Sequence, residues 1–144
     1  MNPFSDSPIL SKADFERLSE FRHQLRVFLR FSEDACRGHG LTPLQYQLLL
    51  HVQGYPGRDW ATVGELAERL QSHHHGVVAL ASRCEELGLV QRRPGREDRR
   101  QVEIHLTEAG RNQAQALAGL HRDEIRLLSD KLAPPGFEPD QSSR

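Results

Sequence analysis

VGELAERLQSHHHGVVALASRCEELGLVQRRPGREDRRQVEIHL, residues 63–106, decides the fold of this chain. Thr62 and Glu65 form a capping-box pair that opens a helix running to about Leu70. Ser72 or His73 begins the next helix, which ends near Leu87-Gly88 and places Val77, Leu80, Ala81, Cys84 and Leu87 on one apolar face. Leu89-Val90-Gln91-Arg92 then alternates toward a strand. Pro94-Gly95 gives a turn signal, and Val102, Ile104 and Leu106 alternate on the way back. The spacing predicts two helices joined by a tight turn, followed by a β-hairpin, or wing. Such a helix pair can set its second helix into the major groove of a duplex.

The charge pattern supports that reading. Between Arg92 and Arg100 stand five arginines against two carboxylates, Glu97 and Asp98, in a chain of 144 residues with a formal net charge of −1. A local cationic cluster matters more for polyanion binding than the sum over the chain. Arg93, Arg96, Arg99 and Arg100 are the candidate wing contacts, with Arg96 or Arg99 able to reach a narrow minor groove. Asp98 is expected to pair with a neighbouring arginine and pin the hairpin. On the second helix, the face opposite the apolar one offers His73, His74, His75, Gly76, Ala79 and Arg83. Arginine and histidine donate to guanine O6 and N7, and small residues allow close approach to base edges.

Working outward, Ser11 caps a long helix to about Arg37. It carries Phe15, Leu18, Leu25 and Leu29 on one stripe, widened by Phe21, Phe28 and Phe31. A stripe that broad suggests more than one packing partner, a second subunit among them. Thr42-Pro43-Leu44-Gln45 starts another helix, a short extended piece surrounds Trp60, and Thr107 caps a last long helix to about Leu132 with Leu117, Leu120, Leu128 and Leu132 on its apolar side. The expected organisation is a flexible arm (1–10), a first long helix (11–37), a winged helix-turn-helix lobe (41–106), a last long helix (107–133) and a disordered tail (134–144). The fold class is mostly α with a small β-hairpin wing.

Several function classes fall away. No apolar run is long enough for a membrane span, no leader pattern is visible, and the two cysteines, Cys36 and Cys84, form no CxxC; a cytoplasmic protein is expected. No GxSxG or glycine-rich phosphate loop points to an enzyme, and no cofactor is indicated. The histidine triplet is not a metal site, because successive helical residues point about 100° apart. Cys84 reads as a core residue. Cys36 stands beside Arg37 and near His39, neighbours that lower a thiol pKa and suit an oxidation sensor.

The run from ELAERL to HLTEAG, with its Gly88-Leu89-Val90 turn, Asp98-Arg99-Arg100 wing and Leu106-Thr107-Glu108-Ala109-Gly110 segment, resembles the MarR family of bacterial winged-helix regulators. LTPLQYQLL resembles that family's second helix, and the likeness extends over about residues 12–132. The resemblance implies long N- and C-terminal dimerisation helices and a homodimer on a pseudo-palindromic double-stranded operator. It implies a repressor released by a small ligand or by oxidation. It also implies a ligand pocket between the dimerisation helices and the DNA-binding lobe, assigned here to His23, Arg26, Tyr46 and Trp60. Family members end in a further helix where this chain has Pro134-Pro135, so dimerisation is expected to fall on the first helix and the last long one. A winged-helix protein-interaction module that does not read DNA is the alternative.

Overall fold

The computed structural model describes residues 9–132 and 135–136; most of the expected arm and tail lies outside the described residues. Five helices and three strands follow in the order α1 (Lys12–Gly38), α2 (Pro43–Gln53), β1 (Trp60–Thr62), α3 (Val63–Leu70), α4 (His74–Glu86), β2 (Val90–Pro94), β3 (Val102–Leu106) and α5 (Glu108–Leu132). Among the described residues no helix is long and apolar enough to cross a membrane.

Local sequence starts these helices. Ser11, Thr42 and Thr62 each accept a hydrogen bond from the backbone N–H three residues on, and the side-chain oxygens of Asp14, Gln45 and Glu65 accept in turn from the cap residue's own N–H. Each such cap contributes about 1 kcal/mol. Gln71, with φ 50°, takes the left-handed conformation that ends α3 and turns the chain into α4. The extended piece at Trp60 becomes the edge of an antiparallel sheet ordered β1-β3-β2, with Ala61 opposite Ile104 and Val90 opposite Leu106.

The core lies where these elements converge. Leu48, Leu49 and Val52 of α2 meet Leu66 of α3, Val77, Ala81 and Cys84 of α4, Val90 and Ile104 of the sheet, and Leu117 of α5. α1 packs chiefly on α5, and α2 packs on α5, α3 and β3. One expectation fails here. Leu87 does not share the buried face of α4: the helix stops at Glu86, and Leu87, its C-cap, is 53% exposed. On α1 the buried positions are Gln24, Ser32 and Cys36, one turn or two apart, and not the apolar stripe. Phe15, Leu18 and Leu29 stay exposed, as do Leu120, Ile125 and Leu127 of α5.

One joint ties the sheet to α5. The Thr107 hydroxyl donates to the Gly88 carbonyl (2.6 Å) and accepts from the Gly110 N–H (3.1 Å), while the Thr107 N–H donates to the Leu89 carbonyl (3.0 Å). Gly110 lies so close to the Leu89 carbonyl that a Cβ there would overlap it. The TEAG segment therefore needs its glycine for space, not for an unusual φ. Replacing Gly110 by Ala is expected to cost about 1–3 kcal/mol, the range for overpacking. Gly64→Ala, on the exposed side of α3 with nothing near its Cβ position, should instead gain about 0.5–1 kcal/mol. Denaturant midpoints of the two variants moving in opposite directions check the joint; equal shifts would contradict it.

Candidate nucleic-acid interface

α4 shows one face to the core and the other to solvent. Val77, Ala81 and Cys84 are buried, whereas His73, His74, His75, Gly76, Ala79 and Arg83 are all exposed. All six predicted residues thus lie on open surface, four of them at the start of the helix. His73 is the N-cap but makes no side-chain capping bond. The N–H groups of the first turn therefore remain available to an outside acceptor, and the helix dipole adds to their attraction for an anion. The rings of His73 and His75 stack nearly parallel, 5.7 Å apart. Among the described residues no group of three or more histidines, cysteines or carboxylates is placed to hold a metal ion.

The wing divides its arginines between structure and solvent. Asp98 accepts from the Arg100 N–H (3.0 Å) and its guanidinium (3.1 and 3.2 Å), which closes the tip. The Gly95 N–H donates to the Gln101 carbonyl and the Gln101 N–H to the Asp98 carbonyl, so the turn crosses itself at Gly95, where a Cβ would meet the Asp98 carbonyl. Arg92 points back to α4 and bonds Glu85 and Ser82. Arg93 bonds only the Gln91 side chain (3.1 Å), and Arg99 is exposed with no ion pair among the described residues.

Arg96, expected to reach a groove, is engaged otherwise. Its backbone N–H and guanidinium bind Glu103 at 2.9–3.2 Å, and the guanidinium also lies 4.2 Å from the Trp60 ring centroid. Glu103 is buried, 3% exposed, and takes a further bond from His105 (2.9 Å). Hydrogen bonding from Arg96 holds its carboxyl down at about 2. Sequence reasoning missed Glu103. Its signal was an acidic residue in a strand alternating apolar with polar residues, opposite Arg93 in the hairpin register.

The four residues assigned to a ligand pocket do not converge. His23 and Arg26 are exposed on α1, whereas Tyr46 is buried and stacks on His121 at 4.5 Å. Trp60 belongs to the sheet, with Arg58 and Arg96 guanidiniums 3.9 and 4.2 Å from its centroid. What fills the place between α1, α2 and α5 is His121. Its Nδ1–H donates to the Leu117 carbonyl (2.7 Å), Nε2 accepts from Ser32 (2.8 Å), and Phe28 and Phe31 meet its ring edge-on. Cys36 is fully buried, and burial raises its thiol pKa, the reverse of the expected lowering by Arg37 and His39. That opposes thiolate formation and the sensor reading.

Residues 39–101 match the model of the MarR family. No curated protein sequence matches the chain. Among solved structures, AbsC, a MarR family transcriptional regulator from Streptomyces coelicolor, has 21% identity and a TM-score of 0.74 over 95% of this chain and 89% of its own. Wild-type MarR from E. coli has 16% identity and a TM-score of 0.67 over 95% and 92%. The transcriptional regulator BldR from Sulfolobus solfataricus has 22% identity and a TM-score of 0.63 over 84% and 87%. The fold of the described chain is therefore the winged helix of MarR-family structures, and its helix-turn-helix lobe carries the family's sequence pattern.

The Glu103 clamp carries a pH signature. A carboxyl held at about 2 against an ordinary 4.5 adds stability that is complete above 4.5 and is lost as pH falls through the lower value. Glu103→Gln should therefore be less stable than wild type at neutral pH, with the difference shrinking below 4.5. Urea midpoints of both proteins, measured from neutral pH downward, test this; a gap independent of pH would refute the clamp.

Proposed function

We propose that this chain is a homodimeric transcription regulator that binds a pseudo-palindromic stretch of double-stranded DNA and acts as a repressor released by a signal. The observation that carries the reading is the exposed start of α4, His73 to Gly76 with Ala79 and Arg83, beside a wing whose Arg93, Arg99 and Arg100 reach solvent. Base edges fall to α4, and phosphates fall to the wing and to the uncapped first turn of α4. Arg96 and Asp98 act through wing shape: one anchors the hairpin to Glu103, the other closes its tip.

Dimerisation falls to α1 and α5. Phe15, Leu18 and Leu29 on the first, with Leu120, Ile125 and Leu127 on the second, leave more apolar side chain in water than a monomer usually tolerates. A two-fold axis between such faces sets two α4 helices about one duplex turn, ~34 Å, apart. Release by a small ligand remains part of this reading. Release by oxidation does not follow from Cys36, whose thiol is buried.

Fluorescence anisotropy on the DNA upstream of its coding region tests the reading. Affinity should fall steeply with salt. Arg99→Ala should weaken binding on all duplexes alike, whereas His75→Ala should change preference between sequences by about 1–3 kcal/mol. Unchanged binding in both variants would overturn the assignment of α4 and wing. Leu127→Asp, at a position 79% exposed, should leave the protomer folded and shift sedimentation from dimer to monomer; a dimer of undiminished strength would move the interface elsewhere.

A further inference from the structure

The hairpin register puts Trp60, His105 and Gln91 in one row across the sheet, and Thr62, Glu103 and Arg93 in the next. Their neighbours Ala61, Ile104, Leu106 and Val90 point into the core, so these rows form the opposite face. On it lies a cavity of about 380 Å³ beside Trp60, walled by Arg93, Arg96, Arg111, His105 and Asp59. That size suits a small molecule. Three guanidiniums meet one carboxylate there, and Glu103 from below neutralises only Arg96. Arg93 bonds the neutral Gln91 amide, and Arg111 bonds the Leu106 carbonyl (3.0 Å). Neither has an ion-pair partner among the described residues, so two fork-shaped donors keep unspent charge on one cavity.

We propose that this cavity binds a small oxyanion, a carboxylate or a phosphate group, held by Arg93 and Arg111 against the Trp60 edge of the sheet. Planar guanidiniums suit either group because each offers paired N–H donors to two oxygens. The site lies on the far side of the sheet from the core-facing side of α4, yet Arg93 belongs to the wing. An anion there withdraws wing charge from phosphate and competes with DNA. This consequence rests on the regulator reading above; the site itself does not.

Trp60 is the only tryptophan of the chain, so its emission reports on this cavity directly. The full chain, without DNA, is titrated with inorganic phosphate and separately with citrate, each against sodium chloride at matched ionic strength. At least one oxyanion should give a saturable change. Saturation by phosphate alone assigns a phosphate ligand, and by citrate alone a carboxylate. Arg93→Gln and Arg111→Gln, both at exposed positions, should each weaken it about tenfold, as losing a charge-assisted hydrogen bond does. Arg17→Gln, on α1, should leave it unchanged. Emission that follows chloride alone, or saturation undiminished in both cavity variants, overturns the site. In the second arm, the saturating oxyanion should lower duplex affinity at constant ionic strength. Saturated emission with unaltered affinity refutes the coupling to the wing. Absence of any duplex binding strikes the regulator reading, and the emission titration still decides the site.

Discussion

The Leu89 carbonyl is the point on which the two halves of this protein turn. It accepts the Thr107 N–H, and Gly110 is pressed against it. One carbonyl thereby ties the turn between α4 and β2 to the turn between β3 and α5. In the proposed dimer, the spacing of the two α4 helices would be set by how rigidly each lobe is held to its long helices. A joint made of three hydrogen bonds and a backbone contact with no room for a methyl group gives that rigidity without a large interface. Close packing of this kind is bistable rather than compliant, so a signal that disturbed it would move the lobe as a unit.

The wing shows how a cationic loop is kept in shape. Its five arginines would repel one another, and an unanchored turn would lose its order. Each of three is tied to a different carboxylate: Arg92 to Glu85 on α4, Arg96 to Glu103 at the sheet and Arg100 to Asp98 within the tip. The anchors draw on three different elements, so the hairpin is oriented relative to α4 as well as to the sheet. Arg93 and Arg99 are left with their charge outward. Composition counts five equivalent arginines, whereas the fold gives them different work.

His121 shows the same economy in the core. A buried imidazole with one donor and one acceptor position needs one partner of each kind, and Leu117 and Ser32 supply them. That contact sets Ser32 of α1 against His121 of α5, with Phe28 and Phe31 at the edge of the ring. In the proposed dimer the exposed apolar stripe of α1 would meet a second protomer.

Much was written in the chain by local rules. The caps at Ser11, Thr42 and Thr62, the period of α4, the alternation of β3 and the turn at Pro94-Gly95 depend on neighbours within a few residues, and each placed its element correctly. So did the outward face of α4, because burying Val77 and Cys84 forces His74 and Ala79 to the other side. The fate of Arg96, Cys36, Tyr46 and Trp60 could not be read in that way. Arg96 and Glu103 are seven residues apart across a turn, and His121 and Ser32 are separated by 89. Periodicity says which side of an element a residue occupies; only the packed chain decides which distant group it meets, because partners are chosen by proximity in space and by the demand that every buried polar atom be satisfied.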